Sequence, residues 1–158
     1  MLAWLENSAF SEAVKASWGA PALLTVHVLG MALIIAVVVI VHLRLLGLFD
    51  GIAYTSLSRL FPALWAGLVL ELLSGAVIWA TKAAQYSVDV AFLIKVVLVA
   101  AGFAMALVLD GAVRREANSW AAGTRAPRPE FVVPSLLVWC AVIILARLTT
   151  YLGALPVS

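Results

Sequence analysis

The sequence predicts an all-α fold, an integral membrane four-helix bundle preceded by an N-terminal interfacial helix. Of the 158 residues, 65% are hydrophobic and 11% are charged, against about 45–50% and about 25% in soluble domains. The apolar residues gather in four long stretches, each near the roughly 20 residues that a helix needs to cross a bilayer. A water-soluble globular protein is therefore excluded, and the lipid bilayer is the first partner that the sequence implies.

The elements can be placed in order from helix-breaking and polar residues. Residues 2–18 have a polar and an apolar side on a helical wheel, with Ser11 on the polar side, and predict the interfacial helix. Pro21, Pro62 and Pro134 stand in first turns, a favourable place for proline. The predicted spans cover residues 21–46, 60–80, 91–109 and 131–153, and residues 110–130 form the longest polar loop. Because no repeat or linker divides the chain, residues 1–158 predict a single transmembrane domain.

Positive charge predicts the orientation of these spans. The loops after the first and third spans contain six arginines, Arg44, Arg59, Arg114, Arg115, Arg125 and Arg128, whereas the opposite side has only Lys15 and Lys82. The positive-inside rule places the arginine-rich loops in the cytoplasm. The chain is thus predicted to be a multi-pass protein of the bacterial cytoplasmic membrane with both termini periplasmic. Trp120 is expected at the inner headgroup boundary, and no basic run indicates nucleic-acid binding.

Five ionisable side chains interrupt the apolar spans, and all of them except His42 mark a candidate site. Each costs about 2.5–3.5 kcal/mol at mid-membrane, so each needs a partner or a polar cavity. His27, Lys95 and Arg147 come from three different spans and lie at a similar predicted depth, on the order of 6–10 Å inside the outer boundary at the rise of an α-helix. Glu71 lies about one turn deeper. The sequence therefore predicts that these groups converge in the outer leaflet.

Small residues accompany this polar layer. Gly67, Glu71 and Gly75 repeat at four-residue spacing, and such a face either lets backbones touch or leaves a slot for a flat molecule. A neutral imidazole is a good iron ligand, and a cation near the membrane edge suits a propionate. We therefore predict haem b, with His27 as the axial metal ligand, and Glu71, Gly67 and Gly75 in the binding surface. Arg147 would hold propionates, and Lys95 is either the second ligand or a second propionate partner.

Other interpretations of these residues stay open. His27 and His42 lie about 22 Å apart on one helix and cannot ligate the same iron. A lysine, Met31, Met105 or a symmetric homo-oligomer would complete the site, or the iron would be five-coordinate. The structural alternative is a buried ion network in which Glu71 pairs with Lys95 or Arg147 and His27 bonds a carbonyl. His42, near the inner boundary, is interpreted as an ordinary interfacial histidine.

Three short motifs carry a resemblance to a known group. Residues 27–30 (His-Val-Leu-Gly), 43–47 (Leu-Arg-Leu-Leu-Gly) and 92–95 (Phe-Leu-Ile-Lys) resemble uncharacterised bacterial four-helix membrane proteins, which are distantly similar to CopD-type copper-resistance domains and HemJ-type protoporphyrinogen oxidases. The HemJ resemblance implies that His27 binds haem b and that Lys95 is needed for activity. The tryptophan-rich segment that follows the HemJ histidine is missing, so porphyrinogen oxidation is not carried over.

The predicted function is electron transfer in the membrane, with a quinone or a periplasmic redox protein as partner. An enzymatic turnover is left open, because Ser74 has no base adjacent in the sequence and no glycine-rich phosphate motif occurs. Two alternatives are kept. One is transport of a small ion, copper or a proton, along His27, Glu71, Lys95 and Arg147. The other is an accessory role in a larger membrane complex, and the glycine faces predict a homo-oligomer.

Overall fold

The computed structural model describes residues 2–16, 18–124 and 129–152, with the helical backbone alone for residues 129 and 146–152. Throughout these residues the regular structure is helical, which confirms the all-α class. The α-helices are α1 (Ala3–Glu6), α2 (Ala9–Lys15), α3 (Gly19–Leu45), α4 (Phe61–Thr81), α5 (Ala83–Tyr86), α6 (Val90–Ala121) and α7 (Pro129–Leu152), and a 3₁₀ helix covers Tyr54–Arg59.

Three helical segments are long and apolar enough to cross a membrane. They are Gly19–Leu45, Tyr54–Thr81 and Val90–Ala121, of 27, 28 and 32 residues. Many of their large apolar side chains face outward, among them Val28, Leu73 and Val97, each more than 60% exposed. Such a surface is suited to lipid rather than water, so the chain is a membrane protein. In α7 the shorter apolar helix Glu130–Leu145 is described, and its role as a fourth span stays a prediction.

Helix α6 continues well past the end of the predicted third span. The sequence predicted a polar loop from residue 110, but the helix runs without a break to Ala121. Within this extension the Arg114 Nε donates to Asp110 Oδ1 at 2.6 Å, one turn away, and Val113, Ala117 and Trp120 are buried along one face. An i,i+4 ion pair and an apolar stripe of helical period therefore sustain the helix despite its polar composition.

The N-terminal segment forms two short helices, α1 and α2, where one interfacial helix was predicted. Ser8 separates them, because its Oγ accepts from the backbone N–H of Ser11 at 3.2 Å as an N-cap and its hydroxyl donates to Leu5 O at 2.7 Å. Ser11, expected on the polar face, is fully buried, while Phe10 is 55% exposed. Ser11 therefore packs inward while Glu12 and Lys15 of the same predicted polar side are exposed. The placement of this segment at a membrane interface stays a prediction.

The chain comprises two compact units, and the three divisions fall inside α3, after the first residue of α4 and inside α6 rather than at a linker. The first unit consists of Met1–Ala36 and Pro62–Leu93, and the second of Val37–Phe61 and Ile94–Ser158. Ile34, Leu64 and Leu68 are buried in the first unit. The buried residues of the second include Val38, Val41, Leu57, Phe61, Val113, Val132 and Val142.

Arg44 organises the connection that follows α3 in the second unit. Its Nε donates to Ile52 O at 2.5 Å, and its Nη1 lies 3.2 Å from Asp50 Oδ1. The guanidinium stands over the Tyr54 ring with Cζ 4.0 Å from the centroid, and the residue is only 8% exposed. Tyr54 in turn meets the Trp120 ring edge to face. A cation predicted to set topology is thus also a buried structural residue.

Candidate functional site

The candidate site lies in the first unit, where His27 of α3 meets α4. The His27 Nε2 is 3.0 Å from Glu71 Oε1, and its Nδ1 is 2.8 Å from Ser74 Oγ. The Glu71 side chain is 7% exposed and that of His27 is 19% exposed, and Ser74 is buried. Both nitrogens of an imidazole within a candidate membrane span are therefore held by polar groups of the neighbouring helix.

The spacing of residues along α4 explains why they surround one ring. Glu71 and Ser74 are three residues apart and Gly75 follows, so all three lie on one helix face. A Cβ added to Gly75 would lie 3.5 Å from His27 Cε1, which shows that the imidazole packs against this glycine. The Ser74 hydroxyl donates to Leu70 O at 2.5 Å, an i−4 bond that fixes the position of its oxygen.

The hydrogens available to His27, Ser74 and Glu71 determine the protonation state of the His27–Glu71 pair. A serine hydroxyl has one hydrogen, and that of Ser74 goes to Leu70 O, so its Oγ accepts from the Nδ1–H of His27. A neutral imidazole with hydrogen on Nδ1 has only a lone pair on Nε2. A hydrogen bond from Nε2 to Glu71 Oε1 therefore requires one further proton, on either atom. The pair is then neutral overall, whether it is imidazolium with carboxylate or imidazole with carboxylic acid.

Next to this pair the backbones of α3 and α4 touch. A Cβ on Gly67 would lie 2.9 Å from the Gly30 carbonyl oxygen, and one on Gly30 would lie 3.0 Å from the Gly67 carbonyl oxygen. Such distances leave no room for a side chain on either glycine. Of the two interpretations of the glycine face, close backbone approach is the one that Gly30 and Gly67 adopt, as in small-residue contacts between membrane helices.

Four predicted site residues, His27, Glu71, Gly67 and Gly75, come together in this unit. Lys95 lies on the part of α6 that belongs to the second unit, is half-buried, and forms no ion pair within 4.0 Å in the described chain. Arg147 is on α7, and its side chain is outside the described residues. The predicted convergence of these two cations with His27 stays a prediction.

Ser74 is the member of the site that the sequence analysis missed. In the sequence Ser74 has no adjacent base and gives no indication of a nucleophile. In the fold His27 lies next to it. Its position three residues after Glu71 was the available signal. The hydroxyl hydrogen points to Leu70 O and the residue is 3% exposed, so the arrangement orients the imidazole rather than activating a nucleophile.

His42 has a different setting at the other end of α3. It is 1% exposed in the second unit, and its Nδ1 donates to Val38 O of its own helix at 2.6 Å. The Nε2 atom has no hydrogen-bond partner among the residues that the structure describes. The histidine is therefore buried within the protein, and its position at the inner membrane boundary stays a prediction.

Comparison of the chain with protein-family models, with curated proteins and with solved structures gives no significant match. Within the described part of the chain, no cluster of three or more His, Cys, Asp or Glu side chains could hold a metal ion. The functional proposals below therefore depend on the geometry at His27 and on the sequence motifs.

Proposed function

We propose that this integral membrane protein binds and releases a proton at the His27–Glu71 pair, as part of the transport of a small ion. The observation that carries the proposal is the 3.0 Å contact between Nε2 and Oε1, together with the bond from Nδ1 to Ser74. Ionisable side chains inside membrane segments are expensive and commonly serve proton relays. The hydrogen bond between Nε2 and Oε1 needs one added proton, and the pair is therefore a proton-binding site.

The effect of proton release on the charge of the pair follows from the same geometry. Without it, the imidazole lone pair and the carboxylate oxygen face each other, and the pair has a net charge of −1. Both changes are unfavourable in a low-dielectric interior. A monovalent cation such as Cu⁺ between the two atoms would restore neutrality, and both imidazole and carboxylate can ligate metal cations. Proton release and cation uptake would thus be coupled at one site.

The distribution of arginines supports a direction for this exchange. With the arginine-rich loops in the cytoplasm, both termini are periplasmic and His27 lies in the outer half of the bacterial cytoplasmic membrane. The imidazole is the more exposed member of the pair, at 19%. We therefore propose that protons enter and leave from the periplasmic side.

The proposal is tested in reconstituted liposomes by infrared spectroscopy and by proton flux. Titration with acid should change the infrared bands of Glu71, either to a carboxylic acid band or to the band of a carboxylate paired with imidazolium. Glu71→Gln should remove this change, and Glu130→Gln, at an exposed carboxylate on α7, should leave it unchanged. A pH dye inside the liposomes should report flux that falls at least about 10-fold in Glu71→Gln, because a glutamine cannot exchange a proton. A wild-type protein with no flux above that of protein-free liposomes would contradict the transport role.

A second candidate is electron transfer through haem b with His27 as axial ligand. It is favoured by Glu71, because a metal-ligating imidazole keeps a carboxylate partner on its other nitrogen, and by the HemJ resemblance at His27 and Lys95. Iron bound to one ring nitrogen of His27 would take the place of Glu71 or Ser74 as the partner of that nitrogen. Lys95 and Arg147 are the proposed propionate partners.

An absorption spectrum of the purified protein separates the candidates. Haem b predicts a red sample with a Soret band that shifts on reduction and is lost in His27→Ala, whereas Lys95→Met should weaken retention of the haem. A colourless, folded protein that exchanges protons supports the transport proposal. A folded protein that is colourless and conducts no protons would indicate that the His27–Glu71 pair has a structural role, as in an accessory subunit of a larger complex.

A further inference from the structure

A cavity of about 590 Å³ lies within the second unit, bordered by α6, by the beginning of α7 and by Leu45 at the end of α3. The volume is within the range of about 300–1,000 Å³ that is typical of small-molecule sites. Helix α6 is one of the candidate membrane spans, so the molecules that surround it in a bilayer are lipids.

The lining of this cavity changes from apolar to charged along α6. Met105 and Val108 come first, and Arg115 and Glu116 follow about 15 Å further along the helix axis. On α7 the charged residue is Glu130, in the first turn, and apolar lining residues come after it. The cavity therefore has an apolar part and a charged part, as a site for an amphipathic molecule requires.

Contact between Gly102 and Trp139 sets the register of the two helices. A Cβ added to Gly102 would lie 3.1 Å from Trp139 Cζ2. The connection over residues 122–128 can span at most about 28 Å, so α7 reaches this contact only by running antiparallel to α6. Glu130 lies nine residues before Trp139, and Gly111 lies nine residues after Gly102. Both are thus about 14 Å from the contact in the same direction, at one level along the two helices.

The guanidinium of Arg115 lies at this level too. A Cβ added to Gly111 would be 3.3 Å from Arg115 Nη2, so the arginine side chain runs back along α6 toward the apolar part of the cavity. Arg115 is exposed and forms no ion pair within 4.0 Å in the described chain. The adjacent Arg114 is instead paired with Asp110 and is outside the lining. Arg115 therefore offers a cation to a ligand at the charged end of the cavity.

The charges at this end specify the head group of the ligand. A guanidinium matches the oxygens of a phosphate, and the carboxylates of Glu116 and Glu130 accept hydrogen bonds from a primary ammonium, which has three N–H donors. A ligand with a phosphate alone would place its charge beside two carboxylates. A head group with one phosphate and one primary ammonium complements all three side chains.

We propose that the cavity binds a phospholipid of the phosphatidylethanolamine type. Its phosphate accepts from Arg115, its ammonium donates to Glu116 and Glu130, and an acyl chain lies against Met105 and Val108. Recognition of lipid head groups by charged pockets beside membrane helices follows the same physical rule. The site consists of residues of the second unit alone, so it stands independently of the function proposed for His27.

Native mass spectrometry of the full chain, released from detergent micelles, tests the proposal with three dioctanoyl lipids. Phosphatidylethanolamine, phosphatidylcholine and phosphatidylglycerol share the phosphate and the acyl chains. The ammonium of phosphatidylcholine is fully methylated and has no N–H, and phosphatidylglycerol has no ammonium. The wild type should bind phosphatidylethanolamine about 3- to 10-fold more tightly than either of the others, the effect of one net hydrogen bond.

Two variants separate the contacts of the phosphate from those of the ammonium. Arg115→Gln should weaken all three lipids about 3- to 10-fold, because the phosphate is common to them. The double variant Glu116→Ala/Glu130→Ala should remove the preference for phosphatidylethanolamine over phosphatidylcholine. Its binding of phosphatidylcholine should equal that of the wild type, which reports an intact cavity. Arg114→Gln is the matched control, because this exposed arginine is outside the lining, and it should bind all three lipids like the wild type.

Three results would overturn the proposal. One is the absence of saturable phosphatidylethanolamine binding to the wild type. Another is equal or tighter binding of phosphatidylcholine or phosphatidylglycerol, which would contradict the role of the two carboxylates. The third is Arg115→Gln that binds the lipids like Arg114→Gln, since the phosphate would then lie elsewhere.

Discussion

The two units of the molecule bury polar side chains in different settings. At His27 in the first unit, the hydroxyl of Ser74 and the carboxyl of Glu71 take both ring nitrogens. In the second unit, the Trp120 Nε1 and the Ser135 Oγ are buried and have no hydrogen-bond partner in the described residues. The comparison teaches that the chain itself positions the imidazole of His27, whereas no described residue positions the indole N–H of Trp120 or the hydroxyl of Ser135.

The largest effect is expected at Arg44, and it tests whether buried polar groups of the second unit generally lack partners. Arg44 has partners in the described chain, and Arg44→Ala would lose a charged hydrogen bond to Ile52 O and the contact with the Tyr54 ring. We expect a loss of about 2–4 kcal/mol in the free energy of unfolding, measured by denaturation with sodium dodecyl sulfate. Asp50→Asn should cost about 0–1 kcal/mol, because a salt bridge to an exposed carboxylate contributes little. Equal effects of the two variants would show that Arg44 acts only through Asp50.

An intermediate effect is expected where α3 and α4 touch in the first unit. Gly67→Ala would place a Cβ 2.9 Å from Gly30 O, and the backbones must separate. The expected cost is about 1–3 kcal/mol of unfolding free energy, as for other overpacked positions. Gly75→Ala is the matched control on the same helix, because its Cβ would meet His27 Cε1 at an ordinary 3.5 Å. Equal stability of the two variants in the same denaturation assay would refute a tight contact at Gly67.

The smallest effect compares the two buried serines directly. Ser74→Ala removes a hydroxyl that bonds Leu70 O and His27, and should cost about 0.5–1.5 kcal/mol. Ser135→Ala removes one that bonds nothing in the described chain, and should leave the ligand-free protein unchanged or slightly more stable. Thermal denaturation of delipidated protein measures both. A larger loss for Ser135 than for Ser74 would reverse the comparison between the two units.

Much of the fold follows from the sequence, because membrane spans are set by length and apolar composition. Three candidate spans, Gly19–Leu45, Tyr54–Thr81 and Val90–Ala121, overlap the predicted ones. The extension of α6 was not predicted, because its polar composition is typical of a loop. The signal for a helix was the spacing of Val113, Ala117 and Trp120, which places these three buried residues on one helix face. The burial of Ser11 could not be predicted from a helical wheel, since it depends on bonds to Leu5 O and to Ala80 O, a distant residue.

The candidate site was predictable only in part. His27 and Glu71 stand out as ionisable residues in apolar segments, and their 3.0 Å contact follows from the facing helices. Ser74 is an ordinary residue in the sequence and acquires its role from the distance to His27. Trp120 was expected to face the headgroups, and its burial beside a cavity depends on the packing of α6 and α7.

The contact between Gly30 and Gly67 limits how the neighbouring pair could work. Gly30 lies one turn from His27, and Gly67 lies one turn from Glu71, so the two helices cannot come closer together beside the pair. A movement that presses α3 against α4 at this point is therefore disfavoured. The Glu71 side chain can still rotate about its three χ angles. Delivery of a proton would then require the swing of one side chain on a stationary scaffold.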